Sequence, residues 1–165
     1  MTENILTEEY LKRFPTVFRS ALEENPKYQK AFFSQIKTEY EDLKVFRIVH
    51  REDKLDDDDF LCNVEEARVY GNPMKYKPRL AHYAVSVNED LQQLVKAMTF
   101  PNPRHPWMGV AEGWMKKEYG PADFIEDNTH HNWYLFEKSI PIQKNEFKIV
   151  SPERYKPYLN GNKEY

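Results

Sequence analysis

The chain has 165 residues, enough for one domain with a sizeable core and short for two. At 40% hydrophobic and 15% aromatic it is too rich in apolar side chains to be disordered. A formal net charge of −3 makes nucleic acid an unlikely ligand, and the single cysteine, Cys62, excludes an internal disulfide framework and a zinc site built from several cysteines.

The first residues, MTENILTEEYLKRF, have no basic start followed by an apolar stretch, and no run reaches the roughly eighteen apolar residues of a membrane span. The expectation is a cytoplasmic protein with no membrane partner. Residues 5–44 predict helices. Thr7 with Glu8 and Glu9 reads as an N-cap with an acidic first turn. Tyr10, Phe14, Val17, Phe18 and Leu22 then recur near helical spacing, with Pro15 either kinking the run or opening a second helix. After the break at Asn25-Pro26, KYQKAFFSQIKTEYEDLK sets Tyr28, Phe32, Ile36, Tyr40 and Leu43 on one stripe.

The period then changes. Val45-Phe46-Arg47-Ile48-Val49 is β-branched and apolar except at Arg47, which predicts a buried strand. In the acidic run 56–59, Asp59 is placed to cap a helix through Phe60, Leu61, Val64 and Ala67. Gly71-Asn72-Pro73 and Pro78 mark a loop. Residues 82–87 predict a strand, Asn88 a cap, and Glu89 to Met98 a helix. Pro101, Pro103 and Pro106 enforce an irregular loop. Residues 109–115 read as a strand, since two glycines would weaken a helix by roughly 1 kcal/mol each. Tyr119-Gly120-Pro121 is a turn, residues 132–137 and 146–150 are the last strands, and the tail from Ser151 is loosely packed. Helices first, then strands with a few interspersed helices, predict one α+β domain with a mixed or antiparallel sheet.

No motif of high specificity stands out. His130 and His131 lie side by side in DNTHHNWYLFE, and in a strand they point to opposite faces, so one ion cannot take both. Glu137 is on the His131 face but roughly 20 Å further along. No metal is predicted. There is no Gly-x-Ser-x-Gly elbow, and Cys62 sits in an apolar stretch with no adjacent base. Ser86 is the one serine on a convincing strand, where His82, Ala84 and Ser86 form a strip with room for a ligand. Arg47 is costly inside an apolar strand unless a carboxylate or an anionic ligand such as a phosphate pairs with it.

Arg47 on an early strand, Ser86 on a later one and the closing strands NWYLFE and EFKIV together resemble ADP-ribosyltransferase-like domains, over about residues 45–150. These are small α+β folds whose split, strand-rich core grips NAD. Many carry Arg or His on the first strand, Ser or Tyr on another, and a catalytic carboxylate or its substitute on a closing strand. SIPIQKNEFKIV is similar to the proline-containing closing strand pair of that fold. The resemblance implies NAD as cofactor and a nucleotide ligand, with Arg47 on phosphate and Ser86, beside His82, on ribose or nicotinamide. It implies Glu112, Glu137 or His131 as the acid or base that stabilises an oxocarbenium-like ribose. The covered stretch departs from the family in having no Ser-Thr-Ser run and no Glu-x-Glu. The competing expectation is a non-catalytic module that binds a protein partner through exposed Trp107, Trp114 and Trp133, for example a small regulator or inhibitor encoded by a mobile element.

Overall fold

Seven residues around Arg47, Leu43–Val49, form the strand β1 on which the rest of the sheet is built. The computed structural model describes residues 8–69, 71, 77–97, 108–140 and 145–159. Thr7, Asn72, Pro73, Met98, the 101–106 loop, Trp107, Pro141 and the last residues of the tail lie outside the described residues. Among those described, no helix is long and apolar enough to cross a membrane.

Residues 8–11 are helical, followed by α1 (Thr16–Glu24) and α2 (Pro26–Gln35). Pro15 precedes α1, opening a helix rather than kinking one. The Asn25 side chain accepts from the backbone amides of Lys27 and Tyr28, and Pro26 opens the first turn of α2. The buried stripe is aromatic: Phe14, Phe18 and Phe32 meet edge to face at ring separations of 5.1–5.4 Å. The long amphipathic helix expected through Leu43 stops at Gln35. Lys37 exchanges two backbone hydrogen bonds with Ala122, at 2.8 and 3.1 Å, and these replace the helical ladder. Tyr40 then reaches the Gly120 carbonyl at 2.6 Å instead of continuing the stripe.

The sheet has six strands in the order β4-β5-β2-β1-β3-β6, and every pair is antiparallel. The others are β2 (Val85–Asn88), β3 (Gly109–Met115), β4 (Ala122–Phe124), β5 (His130–Trp133) and β6 (Phe147–Ile149). The fold is therefore α+β with its first helices N-terminal, as the order of patterns predicts. On one face Val45, Val49, Val87, Ala111, Met115 and Trp133 form the main core. On the other, Phe46 and Val110 pack beneath Leu94 and Val95 of a helix, α4 (Leu91–Ala97), with α3 (Asn63–Val69) lying earlier in the chain. The N-terminal phenylalanines form a third cluster with Ala84, Tyr134 and Phe136.

Four boundaries differ from expectation. Residues 80–83 form a 3-10 turn closed by the Arg79 amide donating to His82 Nδ1 at 2.9 Å, so His82 is off the strand that carries Ser86. Asp59 lies in a 3-10 turn (Asp57–Phe60) and is buried rather than capping a helix. The strand expected over 132–137 begins at His130 and ends at Trp133. Part of the tail is well packed, with Tyr155 buried against the sheet.

Gly120 closes the β4 end. Its φ is +148°, and its carbonyl accepts from both Tyr40 Oη and Trp133 Nε1. A Cβ there would lie 2.1 Å from the Tyr134 carbonyl oxygen. Gly120→Ala is expected to cost on the order of 3 kcal/mol, read from the midpoint of urea unfolding.

Candidate functional site

Arg47 shares its face of β1 with Val45 and Val49, so its guanidinium is carried into the main core. Main-chain carbonyls satisfy it. Nε donates to the Asp59 carbonyl at 2.7 Å, Nη1 to the Ser86 carbonyl at 2.9 Å and Nη2 to the Leu61 carbonyl at 3.4 Å. These bonds use three of its five N–H groups. Burial works against the charge, and the nearby carboxylates of Glu66 and Asp59 offset part of that cost.

Asp59 works through its side chain as well. Oδ1 accepts from the His50 amide at 2.7 Å and lies 2.9 Å from His50 Nδ1, while Oδ2 accepts from the Asp56 amide at 2.7 Å. The far nitrogen of the same imidazole, Nε2, is 3.2 Å from Glu66 Oε1. Hydrogen bonds to Asp59 and then Glu66 push the His50 pKa up to about 9, despite partial burial. His50 is thus an imidazolium held between two carboxylates at neutral pH. Burial opposes the Asp59 charge, but the His50 bond and the two amides hold its carboxyl below the ordinary range.

On the opposite face of the sheet, Ser86 Oγ lies 2.6 Å from His130 Nε2. The register explains the contact: Asn88 pairs with His130 and Ser86 with Asn132, which puts Ser86 and His130 diagonally across one face. Burial, and then the neighbouring His131, hold the His130 pKa below its ordinary value, so the ring is neutral and can accept a proton. His131 pairs with Val87 and points into the core. Its Nδ1 accepts from the Ile125 amide at 3.1 Å, so Nε2 carries the proton and donates to Glu89 at 2.5 Å.

A cleft of about 280 Å³ lies against the last residues of β1. Arg47, His50, Asn63, Glu66 and Ser86 give its polar lining; Ile48, Val49, Leu94 and Met108 give the apolar part. An apolar wall with a few convergent polar groups is the usual make-up of a small-ligand site.

The residues singled out from sequence are only partly brought together. Arg47 and Ser86 line the same cleft, though Arg47 bonds the Ser86 carbonyl and not its hydroxyl. His131 shares the Arg47 face, has both ring nitrogens occupied and does not meet Ser86. Glu112 lies opposite Phe46 on β3, ringed by Arg154 at 3.0 Å, Lys44 at 3.5 Å and Lys148 at 3.9 Å. Burial pushes its carboxyl up, but those cations prevail and hold it below the usual range. Glu137 lines a separate cleft of about 490 Å³ with Arg13, Phe136 and Ser139. His82 closes its own turn. Trp133, expected on the surface, is fully buried, while Trp114 is 45% exposed.

Sequence reading did not single out His50 or Glu66, took Asp59 for a helix cap and named His131 rather than its neighbour His130 as the site residue. The signal for His130 was present in alternation: with Ser86 opposite Asn132, only the residue of matching parity can reach the hydroxyl. Among the described residues no group of three or more His, Cys, Asp or Glu is placed to hold a metal ion.

Two outcomes follow from the charges. Arg47→Met, which removes the shared donor of three carbonyls, is expected to destabilise the fold by about 3–5 kcal/mol in urea unfolding. His50 has a raised folded-state pKa, so its contribution is complete below about 6.5 and is lost as pH climbs through about 9. Between pH 7 and 9 wild-type stability should fall by about 1 kcal/mol after allowing for solvent screening, and His50→Gln should flatten that slope. Above that range burial of the Cys62 thiol, pushed up to about 11, adds a further loss. Comparison with family models, curated proteins and solved structures finds no match for this chain, so its function has to be argued from the cleft itself.

Proposed function

We propose that this chain is a nucleotide-binding domain of the ADP-ribosyltransferase-like kind, with NAD as its ligand and the cleft beside β1 as its site. One observation carries the reading. Arg47 on the first strand, Ser86 on the next and His130 on a closing strand belong to adjacent strands in the order β5-β2-β1, and Ser86 joins the cleft to His130. The resemblance leads one to expect an Arg on the first strand, a Ser on another, and a carboxylate or its substitute on a closing strand. His130 stands as the substitute, because Glu112 is neutralised by three cations and Glu137 lies in another cleft.

The cleft suits one end of a dinucleotide. At about 280 Å³ it takes a ring and a sugar rather than the whole molecule. Ile48, Leu94 and Met108 offer an apolar wall to the ring, and Asn63 and Ser86 offer hydrogen bonds to a sugar. The competing reading, a protein-binding surface of three tryptophans, loses Trp133 to the core.

Thermal unfolding with and without NAD tests the proposal. A hundredfold excess over the dissociation constant adds about 2.7 kcal/mol of stability. NAD should therefore raise Tm in the wild type, and Asn63→Trp, which fills the cleft from its rim, should abolish the rise. An unchanged wild-type Tm at millimolar NAD would rule the reading out.

A further inference from the structure

We infer that the cleft shared by Arg13 and Glu137 is a second binding site, and that it takes a small zwitterion. The ligand class is an α-amino acid with an apolar side chain, its carboxylate on Arg13 and its ammonium on Glu137. The site lies apart from the β1 cleft and does not depend on how that cleft is read.

Its frame is fixed main chain to main chain. The Phe136 amide donates to the Tyr119 carbonyl at 2.9 Å, and the Glu137 amide donates to the Arg13 carbonyl at 2.8 Å. These bonds join the chain around Arg13 to the two 3-10 turns Lys117–Tyr119 and Glu137–Ser139. The cleft between them holds about 490 Å³, ample for an amino acid with a large side chain.

Arg13 is positioned there but not spent. Its guanidinium carbon lies 3.7 Å from the centre of the Phe136 ring and 5.9 Å from that of Tyr10. Among the described residues its side chain makes no hydrogen bond and no ion pair. A guanidinium stacked by its face keeps its N–H groups at the rim, where two of them fit one carboxylate. Stacking also restricts the side chain in advance, so less freedom is lost when a ligand arrives.

Glu137 is the complementary half. Its main chain is bonded to that of Arg13, yet the two side chains form no ion pair. The carboxylate acts instead on a like charge: burial, and then Glu137, push the Glu65 carboxyl up. Neighbouring opposite charges that do not neutralise each other are what a zwitterion can bridge. Ser139 adds a further hydrogen-bonding group. It lines the cleft, is 5% exposed, and its hydroxyl has no partner among the described residues.

The rest of the lining fits the same class. Three cations and three carboxylates line the cleft, and of these Lys12 and Glu9 already pair at 3.6 Å. With no net sign, the lining favours neither a plain anion nor a plain cation, and a ligand carrying both charges meets it best. The Phe136 and Tyr119 rings supply the aromatic part of the wall for an apolar side chain.

Titration of the full chain with L-phenylalanine, followed by two-dimensional amide NMR, tests this. L-Phenylalanine should bind with a dissociation constant on the order of 1 mM and move the Glu137 and Ser139 amide signals. 3-Phenylpropionate lacks the ammonium and 2-phenylethylamine lacks the carboxylate, and each should bind about tenfold more weakly. Arg13→Gln should weaken L-phenylalanine about tenfold and leave 2-phenylethylamine unchanged. Glu137→Gln should weaken L-phenylalanine by a similar factor and leave 3-phenylpropionate unchanged. Both side chains are exposed, so both variants should keep the wild-type fold, read from the same spectra. No signal movement at about 20 mM L-phenylalanine would overturn the assignment. So would movement confined to other residues, 3-phenylpropionate binding as tightly as L-phenylalanine, or unchanged affinity in both variants. None of these outcomes bears on NAD at the β1 cleft, whose own test is the thermal shift.

Discussion

A guanidinium placed inside a sheet must be given acceptors, and at Arg47 they are main-chain carbonyls. Asp59, Leu61 and Ser86 each supply one, so a single side chain of β1 fixes the 3-10 turn, the residues after it and the neighbouring strand. Hydrogen bonds to a charged donor contribute about 1.5–3 kcal/mol each, against a desolvation cost of several kcal/mol for the ion. The balance leaves little net stability, but it allows few arrangements: moving any of the three segments strands either a carbonyl or a charge. Asp59 multiplies the effect, because its carboxylate grips His50 while its carbonyl grips Arg47. The end of β1 is thereby closed from both sides of the chain.

The cleft is a consequence of that closure. The turn held by Arg47 and Asp59 leads into α3, which brings Asn63 and Glu66 over the last residues of β1. α4 covers the other side with Leu94, and β2 presents Ser86 between them. None of these elements is long. Their positions depend on hydrogen bonds to the β1 node more than on local helical preference, since helices of seven residues are marginal alone.

How much of this was readable depends on which residue carried the signal. β1, β3 and β6 were legible because β-branched runs and the paired glycines of 109–115 exclude a helix. The cost of Arg47 was legible too, but not its partners, because backbone carbonyls leave no mark in a side-chain pattern. Asp59 was hidden in a run of four aspartates that reads as a solvated face, and its burial is set by His50 nine positions earlier. The end of α2 was hidden because the Lys37 bonds to Ala122 come from far along the chain. The choice between His130 and His131 turned on strand register, where one residue exchanges the two faces. Sequence order places both histidines in one strand; only pairing with β2 tells them apart.

His50 at the cleft and His130 behind Ser86 illustrate what register and burial do to one side-chain type. His50, between two carboxylates, is charged and spent on structure. His130, half-buried beside another histidine, is neutral and faces a hydroxyl. Around the cleft, Arg47 and His50 are balanced by Asp59 and Glu66, so the local field has no strong sign. The pair at Ser86 and His130 stands outside that balanced network, joined to it only through the Ser86 carbonyl that Arg47 holds. The group that fixes the fold thus grips the backbone of the same residue whose hydroxyl meets His130 across the β2–β5 register.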